Sequence, residues 1–455
     1  MSVATNILEL IGNTPLVKVG NLDTGKCELF LKLESQNPAG SIKDRIALAM
    51  IKAAEAEGKL KAGGTLVEAT AGNTGLGLAL IASQKNYKLI LVIPDKMSQE
   101  KIFHLKALGA EVVITRSDVE KGHPEYYQDL AQKIAHERSA FYVNQFENPH
   151  NPKTHEESTA PEIWQQMEGR LDAIVCGVGS GGTLTGLGRY FKRIAPHVEM
   201  VVADPKGSII APLVNDGIMI KAGSWLVEGI GEDFVPNNCD LSLTNKAYTI
   251  TDAQSIATAR SVLRHEGIIC GSSSGTLIAS ALRYCREQTE PKRVVTFVCD
   301  SGNKYLSKIY NHYWLDDNGL VEREVTNDLR DLITRPHTAK NAITIMPSEE
   351  LQAAYRKMKM YDVSQLPVMQ DGKLVGIINE QDILIAVMGN PDGFMIKVGD
   401  AMTKNLHTID VSAPIVDLLP IFAGGMVAIV VDGDAFLGLI TPIDLLKYLR
   451  QRVGH

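Results

Sequence analysis

Lys43 lies in Asn37-Pro38-Ala39-Gly40-Ser41-Ile42-Lys43-Asp44-Arg45, where a tight turn feeds the first turn of an amphipathic helix. An amine at that place feels the positive end of the helix dipole, which disfavours its charged form. Partial burial lowers its pKa further. A lysine that offers a neutral amine can form a Schiff base with a carbonyl compound. Taken alone, Lys43 reads first as a solvated charge on an ordinary helix; what overturns that reading is the set of loops that follow.

Two such loops stand at strand-to-helix turns, and a third cluster follows the apolar Ile268-Ile269-Cys270. In Thr70-Ala71-Gly72-Asn73-Thr74-Gly75 the glycines let backbone amides approach a ligand, and the hydroxyls and amide suit a carboxylate. The plain alternative is a turn with Asn73 in a left-handed conformation. Gly177-Val178-Gly179-Ser180-Gly181-Gly182-Thr183 forms a run of small residues whose N–H groups, with the Ser180 and Thr183 hydroxyls, could cradle a phosphate monoester. It lacks the Gly-Lys-Ser/Thr ending of a nucleotide-triphosphate loop and the acidic residue of a dinucleotide site. Gly271-Ser272-Ser273-Ser274-Gly275 offers hydroxyls to a neutral ring nitrogen, or equally well an N-cap.

The elements around these loops alternate. Thr65–Ala69, Leu89–Ile93, Val112–Thr115, Phe141–Asn144, Ala173–Cys176, Met200–Ala203 and Val294–Val298 read as strands separated by helices. That alternation predicts parallel α/β sheets, here two packed α/β subdomains with a cleft between them. After Tyr313-Trp314 the character changes: residues 315–340 are polar and fit a linker carrying a short helix. Beyond it the chain repeats. Gly376-Ile377-Ile378 before Gln381-Asp382-Ile383-Leu384 is echoed 62 residues on by Gly438-Leu439-Ile440 before Ile443-Asp444-Leu445-Leu446. Neither half buries its apolar face alone, so the two are expected to pack as one module.

Composition narrows the function classes. The chain has 455 residues, 45% hydrophobic and 22% charged, enough for two or three domains. A net charge of −7 argues against nucleic acid or an anionic membrane as partner. No apolar run approaches the ~20 residues that span a bilayer, and the N-terminus lacks a secretory pattern. Cys27, Cys176, Cys239, Cys270, Cys285 and Cys299 are scattered without a CxxC pair, so reduced thiols in a cytoplasmic protein are expected, and no metal site.

Taken in order, Lys43 and the three loops resemble the fold-type II family of pyridoxal-phosphate enzymes, in its cystathionine β-synthase and cysteine synthase branch. The likeness covers nearly all of residues 3–313, from Leu10-Ile11-Gly12-Asn13-Thr14-Pro15-Leu16 to Asp300-Ser301-Gly302. It implies that Lys43 holds the cofactor and later carries the proton, and that Asn73 meets the ring hydroxyl. Gly179, Ser180, Gly181, Gly182 and Thr183 would bind the phosphate, and Ser273 would face the pyridine nitrogen. Thr70, Ala71, Asn73, Thr74 and Gln145 would line the substrate carboxylate site, and Glu228 would help select homocysteine. The repeated tail resembles a pair of cystathionine β-synthase domains, a Bateman module, in which Thr441 and Asp444 match ribose-contacting positions for an adenosyl ligand, S-adenosylmethionine or AMP. Asn379 and Asp382 occupy the equivalent places in the first repeat.

The resemblance implies a catalytic domain over 1–314, a linker over 315–340 and a tandem α+β regulatory module over 341–455. It also implies β-replacement, in which serine or an O-activated serine loses its β-substituent and homocysteine adds, giving cystathionine. Ala71, Phe146 and Glu232 stand where the eukaryotic pattern has serine and two tyrosines, which keeps open a cysteine synthase acting on O-acetylserine and sulfide. A serine/threonine dehydratase and a non-catalytic nucleotide sensor are further alternatives. No N-terminal extension like that of the haem-bearing animal enzymes is present, so no haem is expected. A homodimer or homotetramer is expected from the family.

Overall fold

Strands covered on both faces read as unbroken apolar runs, and Lys88–Pro94 (KLILVIP), buried from its second residue on, is the plainest of them. The computed structural model describes residues 3–70, 72–95, 99–119, 122–244, 246–321, 325–337 and 342–453. They divide into two compact units, residues 1–311 and 312–455.

The first unit is a parallel α/β structure. Its strands are β1 (Leu16–Lys18), β2 (Glu28–Lys32), β3 (Thr65–Ala69), β4 (Lys88–Pro94) and β5 (Glu111–Thr115). They continue as β6 (Phe141–Tyr142), β7 (Ala173–Gly177), β8 (Glu199–Pro205), β9 (Lys246–Ile250) and β10 (Arg293–Phe297). One sheet has the order β5-β4-β3-β6 and the other β1-β2-β10-β7-β8-β9. Every pairing is parallel except that of β1 with β2. All seven expected strands are present; β1, β2 and β9 are additional. In parallel sheets ligands bind beyond the carboxyl ends of strands. Residues 70–75 follow β3, Gln145 follows β6, 177–183 close β7, and Cys299 and Asp300 follow β10.

The second unit carries the repeat. β11 (Gln365–Gln370) pairs antiparallel with β12 (Lys373–Asn379), and Ile345 bridges Val368 in parallel. In the second repeat β13 (Thr408–Asp410) runs parallel to β14 (Ala428–Asp432), which pairs antiparallel with β15 (Ala435–Ile440). A register shift falls at Val368/Met369 in one repeat and at Val430/Val431 in the other. Met369, Ile429 and Phe436 form a buried cluster drawn from both halves. Leu329, Leu332 and Ile333, in the stretch read as linker, are buried against Ile409, Leu418 and Val430. Part of that stretch is therefore core of the second repeat; its charged neighbours disguise three apolar residues at helical spacing.

Candidate active site

Lys43 opens a helix, Lys43–Ala56, whose entry is fixed from the far side of the sheet. Ile42 N donates to Cys299 O at 2.8 Å, and Ser41 forms an antiparallel bridge with Asp300. Ser41 Oγ accepts from Lys43 N at 3.2 Å, and Asp44 accepts from Ala39 N at 2.6 Å. The Lys43 helix packs on helix Asn73–Lys85 through Gly77, where an added Cβ would lie 3.3 Å from the Lys43 carbonyl oxygen. Burial pushes the Lys43 amine below its ordinary pKa, against the opposing pull of Cys299, Glu232 and Asp300. Burial likewise raises the Asp44 carboxyl to about 7.

The Gly-rich loop has the backbone form of an anion cradle. Gly181 takes φ +81° as N-cap of helix Gly182–Ile194. Backbone N–H groups of Gly179 to Thr183 donate to no protein acceptor among the described residues. Close packing keeps side chains out: an added Cβ would stand 2.6 Å from Gly229 O at Gly179 and 2.4 Å from Cys239 Cβ at Gly181. Ser180 Oγ accepts from the buried Asn151 Nδ2 at 2.9 Å, and Thr183 Oγ1 lies 3.3 Å from His155 Nε2. Burial drives His155 well below its ordinary pKa, so its ring is neutral.

The three serines separate by partner. Helix Ser272–Arg286 is capped by Gly271, so the serines do not serve as its N-cap. Ser272 Oγ accepts from Glu228 N at 3.0 Å and Ser274 Oγ from Cys299 N at 2.9 Å. Ser273, also buried, makes no side-chain hydrogen bond among the described residues. Asn73 begins its helix with Gly72, not Asn73, taking the positive φ of +156°.

Thr70, Thr74 and Gln145 are all buried; Thr74 Oγ1 donates to Gln145 Oε1 at 2.6 Å, and Thr70 Oγ1 accepts from Gly72 N at 3.3 Å. Ala71 lies outside the described residues. Glu228 is gripped by Lys101 at 2.5 Å and Lys308 at 2.6 Å, which hold its carboxyl below the usual range despite burial. The Phe146 ring packs 5.8 Å from that of Phe234, and the Glu232 backbone is held by Ser208. Thr441 and Asp444 meet at a helix start in the second unit. Asp444 accepts from Thr441 N at 2.8 Å and from the Thr334 hydroxyl. Asn379 and Asp382 form the matching capping box.

Sequence reasoning missed the polar groups behind the site. Asp300 Oδ2 accepts from Asn73 Nδ2 at 2.7 Å and from Tyr305 Oη at 2.6 Å, and its Oδ1 is buried without a partner. Lys304 Nζ donates to Asn73 Oδ1 at 2.9 Å and to the carbonyls of Ala39 and Gly40. Arg45 makes paired contacts with buried Glu34, both at 2.8 Å, and reaches Glu162 at 2.9 Å. Only Asp300 carried a signal, through its place at the end of an apolar strand.

A half-buried lysine at a helix start, together with a glycine-rich loop at a parallel strand end whose N–H groups meet no protein acceptor among the described residues, defines a cofactor-dependent α/β enzyme. Residues 7–300 match the family described as pyridoxal-phosphate dependent enzyme, and the chain belongs to that family. Residues 329–389 and 398–451 each match the CBS domain. The chain is similar over nearly its whole length to proteins named cystathionine beta-synthase. That of Dictyostelium discoideum is 37% identical, over 99% of this chain and 93% of its own. That of Saccharomyces cerevisiae is 33% identical, over 98% and 97%. Among solved structures, an O-ureido-L-serine synthase aligns with TM-score 0.64 at 32% identity, over 72% of this chain and 98% of its own. A hydrogen sulfide-producing enzyme from Fusobacterium nucleatum aligns with TM-score 0.63 at 37% identity, over 67% and 100%. Among the described residues no helix is long and apolar enough to cross a membrane.

Proposed function

We propose that the chain condenses L-serine with L-homocysteine to L-cystathionine by pyridoxal-phosphate dependent β-replacement, in the cytoplasm. The observations that carry the reading are the lowered pKa of the Lys43 amine and, among the described residues, five backbone N–H groups and one serine hydroxyl without a protein partner. These residues fit the cofactor: Gly179, Ser180, Gly181, Gly182 and Thr183 receive its phosphate, Ser273 its ring nitrogen and Asn73 its ring oxygen. When bound, the cofactor supplies an electron-withdrawing ring that takes up the charge left at the α-carbon. The relatives' name over nearly the full length favours serine and homocysteine as the pair.

Lys43 removes the α-proton and later returns it, for which a neutral amine near working pH is the right tool. Thr70, Thr74 and Gln145, with the Asn73 N–H at a helix start, receive the α-carboxylate. Glu228 between Lys101 and Lys308 presents one negative and two positive charges, a pattern complementary to the zwitterionic end of homocysteine. Replacing Lys43 with Ala should abolish turnover and the visible absorbance of the loaded protein. Normal activity in that variant would overturn the assignment. Assaying serine with homocysteine against O-acetylserine with sulfide decides the substrates: faster cysteine formation from the second pair would replace this reading.

For the tail, we propose that Thr441 and Asp444 hold the ribose of an adenosyl compound. Thermal shifts with S-adenosylmethionine, AMP and ATP test this. A shift lost in Asp444→Ala is expected, and no shift with any of the three would sink it.

A further inference from the structure

Tyr305 has no part in the chemistry above, yet its hydroxyl sits in the middle of a buried polar chain. It donates to Asp300 Oδ2 at 2.6 Å, and Lys101 Nζ donates to it at 3.2 Å. Asp300 Oδ2 also accepts from Asn73 Nδ2 at 2.7 Å. At the other end Lys101 pairs with Glu228 at 2.5 Å. Glu228, Lys101, Tyr305, Asp300 and Asn73 are thus joined without a gap. The links are dry: Asp300 is 0%, Tyr305 1% and Lys101 3% exposed.

The polarity of the chain is fixed at both ends. Lys304 can only donate, and it donates to Asn73 Oδ1, so the Asn73 amide nitrogen must face Asp300. Lys101 can only donate as well, so the Tyr305 proton is directed to Asp300. Hydrogen bonds in series polarise one another in a low-dielectric interior. An ammonium group docking on Glu228 would draw its charge away from Lys101. Lys101 then donates more strongly to Tyr305, Tyr305 to Asp300, and Asp300 pulls less on Asn73. The Asn73 amide is released toward the ring oxygen it is proposed to hold.

We infer that Tyr305 is a positioning residue that couples the Glu228 carboxylate to Asn73, so that the charge on Glu228 is felt at the cofactor. This rests on the proposed assignment of Asn73 and Lys43. Glu228→Gln neutralises one end of the chain, and Tyr305→Phe removes only the central hydroxyl. Two quantities are measured in the four combinations: the Kd of the apoenzyme for pyridoxal phosphate, and the visible absorbance of the loaded protein.

Glu228→Gln is expected to change that Kd by roughly 3- to 10-fold, with an altered visible band, when Tyr305 is present, and by less than half as much in the Tyr305→Phe background. An equal change in both backgrounds, or none in either, overturns the inference. If Tyr305→Phe does not accumulate as folded protein, Asp300→Ala cuts the same chain and is read in the same cycle. Lys43→Ala separates the two failures: a visible band that survives it removes the underlying assignment, whereas its loss leaves the Tyr305 comparison to stand or fall alone.

Discussion

Gly182→Ala adds one methyl group, and the packing dictates what that methyl meets. An ideal Cβ at residue 182 lies 1.9 Å from Asn151 Oδ1, 2.5 Å from its Cγ and 3.0 Å from its Nδ2. Residue 182 is in the first turn of a helix without positive φ, so only the space is at issue. Asn151 is fully buried and its Nδ2 donates to Gln145 O at 2.8 Å and to Ser180 Oγ at 2.9 Å. The amide cannot swing aside without releasing both. Losing two hydrogen bonds weakens the fold by about 0.5–1.5 kcal/mol each. Forced overpacking adds about 1–3 kcal/mol. The sum is roughly 2–6 kcal/mol, read as the loss of unfolding free energy of the apoprotein in urea. Because Ser180 belongs to the anion cradle, the Kd for pyridoxal phosphate, followed by fluorescence titration, should rise at least about tenfold, equivalent to 1.4 kcal/mol. Adding Asn151→Ala removes the clash, so the double variant should lose less than the sum of the two singles. A Gly182→Ala protein within about 0.5 kcal/mol of the parent, with unchanged Kd, would refute the reasoning. Strict additivity in the double would refute the steric route.

Two further outcomes follow from buried charge in the same unit. Glu68 on β3 has no exposed surface, and burial raises its pKa to about 8. The folded chain therefore keeps a proton that the unfolded chain releases near 4.5, so stability falls as pH rises from about 4.5 to about 8. Glu68→Gln carries no such proton. Its stability relative to the parent should climb by up to a few kcal/mol between pH 5 and pH 8 in denaturant melts, and a flat difference would exclude a buried neutral acid. Arg45→Met strips buried Glu34 of its paired contacts and should cost about 3–5 kcal/mol. Adding Glu34→Leu should return much of that loss, and a double variant weaker than the single would count against uncompensated charge as the cause.

The site was legible wherever local backbone chemistry demands a particular residue. Strand-to-helix turns at 70–75 and 177–183 need glycine, and an apolar run before each turn marks a buried parallel strand. Lys43 stood out because a helix start alters an amine's pKa; burial proves the larger cause. What stayed hidden depends on distant pairing. Lys32 is fully buried on β2, but its partner Glu162 stands 130 residues away, and no local pattern announces the pairing. Lys101 and Tyr305 are 204 residues apart, and no spacing rule links them. Nor does sequence tell which of three adjacent serines is free; that depends on Glu228 and Cys299 presenting their N–H groups to Ser272 and Ser274.

The same distinction gives a physical criterion for ranking the proposed sites. A ligand replaces water at groups the fold has left unclaimed, whereas a group already satisfied must surrender a bond before it can bind. Among the described residues Ser273 and the N–H groups of Gly179 to Thr183 are unclaimed, so a phosphorylated ring would gain their hydrogen bonds without breaking others. Asp444 differs, because one of its oxygens already serves Thr334 and the other Thr441. A ribose at Asp444 must therefore share those acceptors or displace the Thr334 hydroxyl. Thr334 lies next to Ile333, which is buried in the core of the second repeat. An adenosyl ligand would thus act on the packing of that repeat through Thr334, whereas a phosphate at Gly179 to Thr183 would displace no hydrogen bond of those N–H groups among the described residues.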